Sequence, residues 1–220
     1  MQSEHVKTVI DEPLSPPPLL LPRPLAQDQA LRALAEIRNV VDRSLRYSTF
    51  SALSGFVAGI AALAGSGLCG VYSGFVGTTP DSGMSFLAVW LAVFIVAAVS
   101  QVILTVMKAR QRGEPVWTPI ARTAFASLLG PGLAGVGGSA AFVLTQRWDL
   151  LPGLWLLFYG CGFWSVSFFA PLFLRILGVL FMILGLCAWA VPALSALWLG
   201  LGFGGLHFVF GAVIMTRYRE

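Results

Sequence analysis

The chain has 220 residues, of which 57% are hydrophobic and 11% charged, whereas a soluble domain is about 45–50% apolar and about 25% charged. The apolar residues are gathered into runs of bilayer length, which excludes a water-soluble globular fold and implies an all-α, polytopic transmembrane helical bundle. The net charge of +4 is spread over short polar segments rather than one face, so it argues for membrane topology and against a nucleic-acid partner.

Residues 1–24 hold six of the thirteen prolines and read as a disordered, Pro-rich tail, with Asp11, Glu12 and the prolines breaking any signal-peptide pattern. The segment 25–48 reads as an amphipathic cytoplasmic helix. Leu31, Leu34, Val41 and Leu45 share one stripe, Arg32, Glu36, Asn39 and Arg43 face away, and Asp28 precedes Arg32 by one favourable i,i+4 step, as Asp42 does Arg46. It would either pack on the bundle's own loops or contact a cytoplasmic protein partner.

Six spans follow within 49–216, over about 49–72, 84–107, 123–145, 150–169, 172–190 and 193–215, leaving 217–220 as a cytoplasmic tail. Leu150 to Ala190 is apolar almost without pause and, as a single helix at 1.5 Å per residue, would be about 60 Å long, twice the hydrocarbon core. Pro171 is the expected break, and Pro192 opens the last span. With both termini inside, thirteen of the fourteen basic residues are cytoplasmic and only Arg147 is outside. Trp148, Trp189 and Trp198 then fall at outer span ends, where aromatic rings anchor at headgroups. Cys69, Cys161 and Cys187 all lie in apolar runs, without a CxxC pair or a disulfide framework.

Small residues recur four apart: Gly55 with Gly59, Ser66 with Gly70, Ala134 with Gly138, and Gly200 with Gly204. Such pairs let helices approach closely in lipid, either within one bundle or across a homo-oligomer. His207 is the only histidine in a span, on the same face as Gly200, Gly204 and Gly211, so it faces a seam. By depth it is level with Ser100 and Gln101, with Ser127 and with Cys161, a candidate intramembrane polar layer, and Gly130-Pro131-Gly132 adds an expected kink. The spans contain no Asp or Glu for a proton relay or sodium site. No catalytic, metal or cofactor pattern occurs, so neither an enzyme nor a cofactor is expected.

The segments EIRNVVDRSLRYSTFSALSG (Glu36 to Gly55), WDLLPGLWLLFYG (Trp148 to Gly160), LGVLFMILG (Leu177 to Gly185) and GFGGLHFVFG (Gly202 to Gly211) together resemble a family of uncharacterised bacterial inner-membrane proteins. The resemblance covers most of the chain after Leu31 and implies six spans and a bacterial inner-membrane location, but no catalytic residues. The Pro-rich tail departs from it. Two functions stay open: a non-catalytic membrane scaffold or regulatory component, and a small-solute transporter or channel built on the polar layer around His207.

Overall fold

A computed structural model describes residues 28–36, 52–72, 80–113, 115–168, 170 and 172–218. The Pro-rich tail, most of the 25–48 segment, the start of the first span, Pro171 and residues 219–220 lie outside the described residues. Every described element is helical. In lipid a backbone must satisfy its own hydrogen bonds, and an isolated sheet edge cannot.

Helix α1 covers residues 28–36 and stands in a unit of its own, with Leu31 and Leu34 exposed. The second unit contains α2 (Ala52–Tyr72), α3 (Pro80–Arg112), α4 (Pro119–Leu144), α5 (Leu151–Val166), α6 (Phe173–Ala190), α7 (Ser195–Leu199) and α8 (His207–Tyr218). Five stretches are long and apolar enough to cross a membrane, Ala52–Gly70, Ser82–Gln111, Ala121–Leu144, Phe173–Ala190 and Pro192–Thr216. The fifth of these, Pro192–Thr216, joins α7 and α8 through a π-helical segment, Gly200–Leu206. Helix α5 is shorter, with 16 residues, half of them buried. Helix α3 outruns its apolar core at both ends because Pro80 stands at the first helical position, where its missing N–H costs nothing, and Lys108 to Arg112 are good helix formers.

Local chemistry sets the ends. Thr118 caps α4 by accepting from the Ala121 amide at 3.1 Å, with Pro119 at the first helical position. At its other end Gln146 is left-handed (φ 57°), the Arg147 amide donates to Phe142 O at 2.8 Å, and the Gln146 amide to Val143 O at 3.2 Å. This is a Schellman closure with glutamine where glycine is usual. Helix α4 runs unbroken across Pro131, so the Gly-Pro-Gly motif does not split that span.

Helices α5 and α6 form the closest pair, antiparallel and nearly backbone to backbone. A Cβ on Gly160 would stand 2.6 Å from Gly178 O, one on Gly178 2.8 Å from Gly160 O, and one on Gly185 2.9 Å from Gly153 O. Gly153 itself lies under the Trp189 indole. These glycines are seven apart on each helix, a spacing the four-residue pairs of the sequence do not reveal. On the other side of the bundle, α2 runs antiparallel to the last span. Gly55 meets His207 O and Phe210, Gly59 meets Gly204 O and Phe208, Gly211 meets Ala52 O, and Gly200 meets Ser66, whose hydroxyl donates to Ala196 O. The last span is therefore central, and Gly202, on the face opposite Gly200 and Gly204, lies against Leu156 and Phe181.

The two remaining helices are peripheral. Helix α3 packs through Gly83, Phe86, Trp90 and Val93, beyond which, among the described residues, only Ala109 is fully buried. Helix α4 leans mainly on α5, through Leu128, Gly135 and Gly138, and through Trp155 Nε1, which donates to Ser139 Oγ at 2.9 Å. In their most apolar stretches 6% of α3 and none of α4 is buried, and the two share no substantial interface. Trp148 is a correction to the expected headgroup belt: it is 3% exposed, its indole filling the space over Gly83. Trp189 and Trp198 stay near that end of the bundle, donating to Leu150 O at 2.9 Å and to Val191 O at 3.2 Å.

Candidate functional site

The only described histidine sits where three elements converge. The π segment ends at Leu206, and His207 starts α8 with 8% of its surface exposed. Its Nε2 lies 2.8 Å from the Tyr159 hydroxyl of α5. With the hydroxyl donating, Nε2 accepts and the ring proton sits on Nδ1. Nδ1 is buried without a well-formed hydrogen bond, although the Gly202 and Phe203 carbonyls of the widened segment lie close to the ring.

Aromatic side chains wall the pair. Around Tyr159 the ring centres of Phe163, Phe181 and Phe203 lie 5.0, 4.9 and 5.0 Å away, all nearly edge-on. His207 meets Phe181 edge-on at 5.7 Å. Edge-to-face placement turns positive ring edges toward negative faces and adds to the packing. Phe203 links this shell to a second one, since it lies 5.8 Å from Trp90, which with Phe86 surrounds Trp155. Trp90 Nε1 is likewise buried without a partner. Three elements meet here: Tyr159 and Trp155 come from α5, Phe181 from α6, and Phe203 and His207 from the last apolar stretch.

The polar layer inferred from depth is not assembled. Gln101 Nε2 donates to Thr105 Oγ1 at 3.1 Å, Ser100 Oγ to Ala97 O at 2.9 Å, and Ser127 Oγ to Ala124 O at 2.7 Å, each within its own helix. Cys161 Sγ points across the α5–α6 seam to Met182 Sδ at 3.9 Å. Equal depth is not adjacency: Ser100 and Gln101 lie in the stretch of α3 past Val93, where no residue before Ala109 is fully buried, and Cys161 is two residues past Tyr159, about 200° round the helix. Sequence reasoning missed Tyr159. The signal available was a phenol in the middle of an apolar run, since a buried hydroxyl must find a partner.

Charge is confined to the margins. At the loop after α4, Arg147 Nε and Nη2 each donate to Asp149 at 3.2 Å, and this hydrogen bonding, with the carboxylate's charge, holds the exposed guanidinium above its usual pKa. Among the described residues no group of three His, Cys, Asp or Glu side chains is placed to hold a metal ion, and Cys69, Cys161 and Cys187 form no disulfide. Fold and site together define a class, the all-helical multi-pass membrane protein. No protein-family model, curated protein or solved structure matches the chain.

Proposed function

We propose that the chain is a non-catalytic scaffold or regulatory component of a bacterial inner membrane, of the uncharacterised kind its motifs resemble, crossing the bilayer six times with both termini cytoplasmic. The observation that carries this reading is the division of labour among the helices. The interior is spent on aromatic and glycine packing around one Tyr–His hydrogen bond, while almost none of the most apolar stretches of α3 and α4 is fully buried. A lateral face of that size suits contact with another membrane protein or a second copy, and α1, with Leu31 and Leu34 exposed, suits an amphipathic helix that engages a cytoplasmic partner.

Six crossings are supported by the α5–α6 pairing. Helix α5 lies antiparallel along α6 from Gly153 to Gly160, so when α6 spans the bilayer α5 traverses most of the same depth, about 24 Å at 1.5 Å per residue. An even number of crossings also keeps the basic segments on one side. Reporter fusions after Asp81, Arg147 and Pro192 should read as periplasmic, and those at Gly113 and Glu220 as cytoplasmic; a cytoplasmic reading at Arg147 refutes the topology.

The competing reading is a small-solute transporter or channel, favoured by the unpaired Nδ1 of His207 beside the π segment. Proteoliposome flux from pH 5 to 8 separates the two. A scaffold gives no flux above empty vesicles, and a flux lost in a folded His207→Gln variant would overturn the proposal.

A further inference from the structure

Arg175 lies in the first turn of α6, beside the last turn of α5. Its Nε donates to Ser167 Oγ at 3.3 Å, and that hydroxyl in turn donates to Trp164 O at 2.6 Å. The guanidinium carbon stands 5.4 Å from the Trp164 ring centre and 5.1 Å from that of Phe168. Two rings and one hydroxyl thus fix the plane of the fork, as cation–π contacts and a single hydrogen bond can. Among the described residues no carboxylate pairs with it, and Nη1 and Nη2 have no partner.

Among the described residues nothing balances this charge. Helix α6 has no acidic residue in its first turn and no side-chain cap at Leu172, so a cation stands at the positive end of the helix dipole, by itself an unfavourable placement. Arg175 is also the third residue of a stretch able to cross a membrane, which puts the guanidinium at the depth of the headgroups. The rings that hold it are open to lipid, Trp164 at 39% and Phe168 at 64% exposure.

We propose that Arg175, framed by Trp164, Ser167 and Phe168, binds the phosphodiester of an anionic phospholipid, whose acyl chains lie along the two exposed rings. The free Nη1 and Nη2 present parallel N–H groups that match the two non-bridging oxygens of a phosphodiester. An anionic lipid is preferred to a zwitterionic one because the latter's own ammonium group competes for the phosphate and is repelled by the uncompensated positive end of α6. The proposal requires only that α6 crosses the bilayer, and stands apart from the choice between scaffold and transporter.

The test uses the full chain purified in a neutral detergent, with phosphatidylglycerol or phosphatidylcholine added and bound lipid counted by native mass spectrometry. Wild type should retain phosphatidylglycerol in preference to phosphatidylcholine, with occupancy about tenfold lower in Arg175→Gln, the loss expected when a charge-assisted pair is removed. Arg175→Lys, a point charge without the fork, should fall between them. Thermal unfolding in phosphatidylcholine micelles checks that the variants fold; if Arg175→Gln does not, Arg175→Lys decides alone. Equal phosphatidylglycerol retention by wild type and the folded variants overturns the site, as does equal retention of the two lipids. Inorganic phosphate at millimolar concentration should not displace the lipid; if it does, the site belongs to a soluble anion and the proposal fails.

Discussion

Replacing Gly178 by alanine tests whether the α5–α6 seam holds the fold together. The new Cβ would stand 2.8 Å from Gly160 O and 2.9 Å from the Trp164 amide nitrogen, both backbone atoms that cannot swing aside. A relaxed carbon–oxygen contact is about 3.3–3.6 Å, so the helices must part by roughly half an ångström or more. A gap of about 0.5–1 Å forfeits a quarter to a half of each dispersion contact it opens. In lipid, where no hydrophobic effect drives helices together, such contacts are the main attraction. Overpacking costs about 1–3 kcal/mol, and alanine's better helix propensity returns at most about 1 kcal/mol, so a net loss of roughly 1–2 kcal/mol is expected. Gly137→Ala is the control, because nothing lies within 4 Å of its Cβ position; it should be neutral or slightly stabilising. Unfolding by sodium dodecyl sulfate in mixed micelles, followed by far-ultraviolet circular dichroism, gives the comparison. Adding Gly160→Ala should cost less than the sum of the two single changes, since one separation of the helices relieves both clashes. Equal midpoints for Gly178→Ala and Gly137→Ala, or strict additivity of the pair, would refute the reasoning.

The same assay reads three further changes. Tyr159→Phe leaves Nε2 of His207 buried and unpaired and should cost about 1–3 kcal/mol, and a cycle with His207→Leu should show a coupling of about 0.5–1.5 kcal/mol; zero coupling would mean the bond contributes nothing. Gln146→Ala loses the 3.2 Å hydrogen bond from Trp148 Nε1 to Gln146 Oε1 and keeps the left-handed strain, while Gln146→Gly loses the bond but relieves the strain. Glycine should therefore be the more stable of the two by about 1 kcal/mol, and the reverse order would contradict the Schellman assignment. Trp155→Phe removes the donor that ties α5 to Ser139 of α4 and should cost about 1 kcal/mol, with faster amide exchange in α4; unchanged exchange would show that the peripheral helix is held otherwise.

The apolar runs made the helical membrane class legible because bilayer thickness fixes how many consecutive residues must be apolar, and that count is visible in one dimension. Which helices touch is not. Nothing along 83–107 marks Gly83, Phe86 and Trp90 as buried and the stretch from Phe94 to Met107 as partly or fully exposed, since both are equally hydrophobic and lipid accepts either. Depth was legible in the same way, through 1.5 Å per residue, and it set Ser100, Gln101, Ser127 and Cys161 level with His207. Rotation about each helix decided that none of them is its hydrogen-bond partner. The heptad glycines were hidden by the search for four-residue pairs, which suits crossing helices; a close antiparallel pair meets again only every second turn, and Gly153, Gly160, Gly178 and Gly185 follow that longer repeat.

The π segment shows how far local composition can be made to carry tertiary meaning. A span at the edge of a bundle needs one narrow face, and a stripe such as Gly200, Gly204 and Gly211 supplies it toward α2. A central span needs a second, toward α5 and α6, and Gly202 provides that opposite the first. Four glycines among Gly200 to Gly205 remove the side chains that would otherwise lock an α-helical register, so the backbone can widen to i→i+5 bonding. The widening has a consequence for the neighbours: Phe203 enters the aromatic shell between Trp90 and Tyr159, and His207 begins α8 with Nε2 facing the phenol. Glycine content is thus more than a packing device, since it also places the one histidine of the spans against its partner.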